Sequence, residues 1–168
     1  MHRPLVAFTA LAAAGVLAAA CSGNSSGSGG GAYGSGDSPT SSAQSSHAMV
    51  AATSTKLGSI LVDGSGRTLY LFQKDQPNQS ACAGACAAAW PPDHGSGAAT
   101  TGSGVKASLL GTIKRGDGSM QVTYNHHPLY YYSGDSGAGQ QNGQGLNAFG
   151  ATWYVVAPSG GTVTGAGS

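Results

Sequence analysis

The sequence predicts an all-β fold: one compact antiparallel β domain made of two pseudo-symmetric, hairpin-based repeats and preceded by a disordered tether. Three observations carry this reading. Short runs of β-branched and aromatic residues alternate with turns bearing Gly, Asn and Asp. One pattern of residues returns about sixty positions further along the chain. Helical period is nearly absent, its best stretch being the short alanine-rich residues 81–90.

Composition narrows the function classes. With 168 residues the chain suffices for one ordinary domain. All 6 acidic residues are Asp, at 37, 63, 75, 93, 117 and 135, which leaves a thin inventory for general acid–base chemistry and disfavours a hydrolase built on paired carboxylates. The 7 Lys and Arg are scattered and the net charge is +1, so no clustered cations mark a nucleic-acid partner. Neither a nucleophile elbow nor a zinc-protease signature is present, and the expected class is not an enzyme.

Taken in order, residues 1–20 read as a signal peptide. His2 and Arg3 form the charged start, and residues 5–20 are apolar except for Thr9 and Gly15, a length suited to export and short for a membrane-spanning helix. The run Leu17-Ala18-Ala19-Ala20-Cys21 resembles the lipobox of bacterial lipoproteins, with one departure: Ala18 stands where a larger aliphatic residue is usual. The resemblance implies that Cys21 is diacylated, palmitate-type chains holding the mature protein on the outer face of the cell membrane. An ordinary secretory signal cut after an Ala is the alternative.

Residues 21–55 read as the acylated cysteine and its tether. Over residues 22–46, 17 of 25 are Gly or Ser, with one charge and no apolar period. Such a coil reaches roughly 30 Å. His47 and Met49 near its end are soft-metal donor types with nothing beside them in sequence.

Residues 56–105 and 106–160 read as β repeats 1 and 2, and 161–168 as a disordered tail. Leu57-Gly58-Ser59-Ile60 is answered by Leu110-Gly111-Thr112-Ile113, and Leu69-Tyr70-Leu71-Phe72-Gln73-Lys74-Asp75 by Leu129-Tyr130-Tyr131-Tyr132-Ser133-Gly134-Asp135. Trp90-Pro91-Pro92 and Trp153-Tyr154 close the halves. In repeat 1, Ile60-Leu61-Val62 and Thr68 to Phe72 flank a Gly-rich turn and read as a hairpin; in repeat 2 residues 120–124 and 129–132 flank Asn125-His126-His127-Pro128. Alternation puts Tyr70 and Phe72, like Tyr130 and Tyr132, on one face, with Leu69, Leu71, Leu129 and Tyr131 on the other. Both faces are apolar, so these strands are central. Each repeat is too small to stand alone, and the two are expected to share one core.

The lipobox, the tether and the duplicated Tyr-x-aromatic-x-x-Asp block resemble the predicted bacterial lipoproteins known as the secreted repeat of unknown function. Further matching pieces are Gly66-Arg67-Thr68-Leu69-Tyr70, Cys82-Ala83-Gly84-Ala85-Cys86 before Trp90-Pro91-Pro92, and Pro128-Leu129-Tyr130 with Trp153 to Val156. One departure stands out: His126 occupies a position usually held by glycine, which implies a different turn geometry or an added ligand. The resemblance implies export and membrane anchoring, and no recognised enzymatic activity.

Cys82 and Cys86 admit two readings. Outside the cytoplasm two cysteines so close in sequence pair as a disulfide, at the tight end of what one helical turn allows. The same spacing resembles the copper loops of the binuclear copper domain of cytochrome oxidase and its chaperones, with His94, Met120, His126 and His127 as available partners. No cofactor is expected on the first reading and copper on the second; haem attachment and a thioredoxin couple need a two-residue spacing. Asp75 and Asp135 read as acceptors of backbone N–H groups in turns. The tyrosines 124, 130, 131, 132 and 154 read as core, with an exposed shelf for a glycan, a quinone or a cell-wall fragment as the functional alternative. The glycine spacing after Gly134 is not that of a dinucleotide loop. The expected function is non-catalytic binding or scaffolding, with partners being the membrane, through the lipid, and an envelope ligand or protein.

Overall fold

The computed structural model describes residues 48–95 and 97–165. The signal peptide, Cys21, His47 and most of the expected tether lie outside the described residues.

The fold starts earlier than its expected boundary. Strand β1, Met49–Thr55, pairs antiparallel with β2, Gly58–Asp63, from Val50 opposite Asp63 to Thr55 opposite Gly58. The tether's last seven residues are therefore sheet. Their Ala, Ser and Thr content reads as linker, but Val50 is fully buried and anchors the strand. At the other end, Thr162 bridges Val156 and Val163 N–H donates to the Val155 carbonyl, so the expected tail begins as an ordered hairpin arm.

The expected hairpin of repeat 1 is reduced to one bridge, Val62 to Thr68, across a turn in which Gly66 takes φ 81°. Strand β3, Tyr70–Phe72, then leaves to pair with the last long strand of the chain, with Tyr70 opposite Val155 and Phe72 opposite Trp153. A strand apolar on both faces gains more by entering the middle of the domain than by finishing a hairpin at its edge. A short helix α1, Ala85–Ala89, and a two-residue strand β4, Thr100–Thr101, parallel to Met49 and Val50, complete the first half.

The second half repeats the plan. Strand β5, Leu110–Lys114, pairs with β6, Met120–Tyr124, and β6 pairs with β7, His127–Pro128. The loop between β6 and β7 is Asn125-His126, with φ 48° and 67°, the left-handed pair of a tight two-residue hairpin. His126 thus takes a left-handed backbone geometry that glycine adopts readily. Strand β8, Asn147–Ala148, precedes β9, Ala151–Val155.

The halves are related by a pseudo-two-fold axis through Tyr70 and Tyr130, whose backbones exchange hydrogen bonds of 2.8 and 2.9 Å. Around that pair the contacts come in duplicate. Leu69 N–H donates to Leu61 O and Leu129 N–H to Val122 O; Leu61 N–H donates to Val156 O and Val122 N–H to Asp93 O; Gln73 N–H donates to Thr152 O and Ser133 N–H to Ala89 O. Each repeat's closing Trp segment therefore pairs with the tyrosine strand of the other repeat. These equivalences also correct one alignment: Leu57 to Ile60 lies at the start of β2, whereas Leu110 to Ile113 lies in β5, the counterpart of β1.

Two apolar clusters, rather than one core, result. Tyr70, Phe72, Tyr130, Trp90 and Trp153 with the two cysteines fill one; Leu69, Leu71, Leu129, Val122, Tyr124 and Val156 fill the other. Alternation along the two central strands sends side chains to both.

Candidate functional site

The duplicated motif builds a clasp. The Tyr70 hydroxyl donates to Asp135 Oδ2 at 2.6 Å, and the Tyr130 hydroxyl to Asp75 Oδ2 at 2.7 Å, so each repeat's tyrosine holds the other's aspartate. The second carboxylate oxygens accept backbone N–H groups, Ala81 on Asp75 Oδ1 and Asn142 on Asp135 Oδ1. Burial raises the titration of both hydroxyls, and the nearby carboxylates raise it further; burial also pushes Asp75 up, against the hydrogen bonds from Ala81 and Tyr130. The motif's other aromatics cap a four-ring column: Phe72 on Trp153 at 4.1 Å, Trp153 on Trp90 at 4.0 Å, Trp90 on Tyr132 at 4.3 Å. Gly143 closes against this column because a Cβ there would sit 2.7 Å from Trp90. Every polar group of the motif is thus engaged within the protein.

Cys82 and Cys86 form a disulfide with Cα atoms 5.2 Å apart, at the buried edge of the same cluster. Both sulfurs of the copper alternative are thereby bonded to each other. Of its other donors, His94 Nδ1 lies 3.2 Å from the Met120 carbonyl oxygen, and His126 Nδ1 lies 3.0 Å from Asn78 Nδ2. Burial lowers the titration of half-buried His127, and its neighbour His126 lowers it further. Among the described residues no three of His, Cys, Asp or Glu come together as a metal cluster. Of the five late tyrosines, Tyr124 and Tyr130 are buried and Tyr131, Tyr132 and Tyr154 are partly buried, Tyr131 lining a cleft with Asp93.

Two buried polar sites depart from the duplication. One is Arg115, whose guanidinium donates to Ser80 Oγ at 2.8 Å, to Gln121 Oε1 and to the Cys82 carbonyl, while Asp117 approaches its Nε at 3.6 Å. The Tyr130 hydroxyl also contacts Ser80 Oγ, at 2.7 Å, so Arg115 extends one clasp inward.

The other is a cleft of about 260 Å³ lined by Asp63, Arg67, Asp93, His94, Tyr131 and Met49, among others. Asp63 sits at the turn between β2 and β3, where its Oδ1 accepts the Ser65 and Arg67 N–H groups and its Oδ2 pairs with Arg67 Nε at 2.8 Å and Nη2 at 2.7 Å. The same guanidinium lies 3.9 Å over the Tyr131 ring, a cation–π contact. The Tyr131 hydroxyl donates to Asp93 Oδ1 at 2.9 Å. Asp93 is 2% exposed, and no protein group donates to its Oδ2. Burial pushes the Asp93 carboxyl up to about 6, and Asp63 pushes the same way, against the Tyr131 hydrogen bond, Arg67 and His94.

Asp93 and Arg67 were not among the candidates read from the sequence. The signal was present in the repeat: Trp90-Pro91-Pro92-Asp93 aligns with Trp153-Tyr154-Val155-Val156, and the carboxylate falls where the second copy has valine.

A profile of the family described as "Secreted repeat of unknown function" matches residues 51–92 and 111–157. The chain belongs to this family. Its two matched segments are the two halves related by the pseudo-two-fold, and membership of a family of secreted repeats is consistent with an extracytoplasmic protein. No curated protein and no solved structure matches the chain. Among the described residues, no helix is long and apolar enough to cross a membrane.

Proposed function

We propose that this member of the secreted repeat family is held on the outer face of the cell membrane by acyl chains on Cys21, and that its β domain is a non-catalytic binding or scaffolding unit. The observation that supports the second part is the pair of crossed clasps. The carboxylates and hydroxyls duplicated in sequence, the groups from which an active site would be drawn, bond to one another and to backbone. They hold the two halves together, and among the described residues both duplicated tyrosine–aspartate pairs are engaged in this way. A disulfide beside them suits a domain that works outside the cytoplasm.

Two measurements test the proposal. Cells producing the Cys21→Ser protein should lose metabolic palmitate label from it and release it from the membrane fraction; retained label would overturn the anchoring. Native mass spectrometry of the exported protein should show a metal-free species about two mass units below the fully reduced chain. A copper adduct that disappears in Cys82→Ser would replace the binding module with a metal-handling protein.

A further inference from the structure

We propose that the cleft at Asp93 is a binding site for a primary ammonium group on an alkyl chain, as at the end of a lysine side chain. The inference deepens the binding-module reading and rests on it.

A carboxylate buried without a full set of donors is costly, and native structures keep such groups where they serve a purpose. The fold does not require this one. Its pseudo-symmetric counterpart is Val156, fully buried with the same backbone contacts, and the counterpart of Tyr131 is Leu71. The second half thus packs the equivalent place with hydrocarbon.

The chemistry of the occupant follows from which groups are already engaged. Arg67 is neutralised by Asp63 in a two-point ion pair, so the Asp93 charge has no full partner. Tyr131 uses its hydroxyl on Oδ1, leaving the buried Oδ2, which exposes almost no surface in this structure, as an acceptor that an incoming group must uncover before it can donate to it. A ligand must therefore donate a hydrogen bond and carry positive charge. A metal ion would need further oxygen ligands, and those of Asp63 are bound to Arg67 and to backbone N–H groups. The volume of about 260 Å³ admits a chain end rather than a folded surface. Met49, 43% exposed at the rim, offers an apolar wall for methylene groups. A lysine side chain meets all of these conditions; a free diamine shares the ammonium but adds a second charge.

Binding requires Asp93 to be ionised, so it should weaken as pH falls through about 6. The charged and titratable groups facing Asp93 are Asp63, Arg67, His94 and Tyr131. Of these, a protonated His94 would also repel a cation, so the His94→Gln protein separates the two causes.

The test is NMR titration of the whole exported protein with Nα-acetyl-lysine methylamide, with Nα-acetyl-norleucine methylamide as the uncharged analogue lacking only the terminal ammonium and butane-1,4-diamine as the free-amine probe. The lysine probe should shift resonances of Asp93, Tyr131 and Arg67, binding about tenfold or more tighter than the norleucine probe. Asp93→Asn, which keeps an acceptor for Tyr131, should remove that preference, and His94→Gln should keep both the binding and its loss below pH 6. Tighter binding of the lysine probe than of the diamine assigns the site to a peptide or protein lysine; the reverse order assigns it to a free polyamine and overturns the lysine assignment. Equal response to lysine and norleucine, or no response at Asp93, overturns the site altogether. A copper adduct in the mass spectrum would overturn the broader reading separately.

Discussion

The clasp region and the Asp93 cleft are made of the same residue types, tyrosine and aspartate at 2.6–2.9 Å, yet they differ in what the symmetry of the chain does with them. In the clasps, Tyr70 with Asp135 and Tyr130 with Asp75 exist in two copies, and each carboxylate has donors on both oxygens. At the cleft, Tyr131 with Asp93 exists once, opposite Leu71 and Val156, and one oxygen has no protein donor. Duplication marks what the fold needs. At Asp93 the departure marks what the fold could have omitted, and that is where a ligand is best sought.

The sharpest way to break this contrast is to give the second half the charge of the first. Val156→Asp should cost about 3–5 kcal/mol at pH 7, because it buries a carboxylate in an apolar cluster where Leu71 cannot donate as Tyr131 does. Chemical denaturation would measure this; a tolerated Val156→Asp would mean that the two positions are not inequivalent after all.

The reverse exchange, Asp93→Val, should stabilise the protein at pH 7. The Asp93 carboxyl titrates near 6 in the fold and near 3.8 in the unfolded chain, so between those values the native state binds more protons than the unfolded one. Native stability contributed by this group is therefore present below pH 4 and falls as pH rises to 6, by on the order of 3 kcal/mol. Removing the carboxyl abolishes that fall, less about 1 kcal/mol for the Tyr131 hydroxyl that loses its acceptor. Denaturation midpoints at pH 4 and pH 7 for the two proteins check both the sign and the size.

The clasps should behave as a pair. Tyr70→Phe and Tyr130→Phe each remove a charge-assisted hydrogen bond and should each cost about 1.5–3 kcal/mol, with Tyr130→Phe the larger because Ser80 and Arg115 lose a link in the same network. Equal and negligible effects would mean the clasps are ornamental to stability.

How much of this was legible in the sequence depended on whether the signal was local. The strand character of residues 58–63, 70–72 and 120–124 and the two-faced packing of Tyr70 and Leu69 followed from alternation. The exchange of strands between repeats did not, because a turn such as residues 63–67 announces a hairpin and says nothing of Val155, which lies opposite Tyr70 across 85 residues of chain. Strand β1 was hidden by its small residues, since Ala, Ser and Thr read as linker unless the burial of Val50 is known. The cleft was obscured differently: Asp93 follows two prolines and looks like any turn aspartate until its partner Val156 is set beside it.

The smallest effect lies in the turns. Gly66 takes φ 81° in the first half at no steric cost, whereas His126 takes φ 67° in the second with a Cβ. His126→Gly relieves the left-handed strain but loosens the unfolded chain, and should gain up to about 1 kcal/mol, read as a modest rise in melting temperature.

The most direct test of the contrast between clasp and cleft is a carbon-detected pH titration of the aspartate carboxyls in the exported protein, with and without Nα-acetyl-lysine methylamide. The account predicts that Asp93 titrates near 6 and moves downward when the lysine probe is added, while Asp135 and Asp75 do not respond to it. An Asp93 that titrates near 4 and ignores the probe would contradict it.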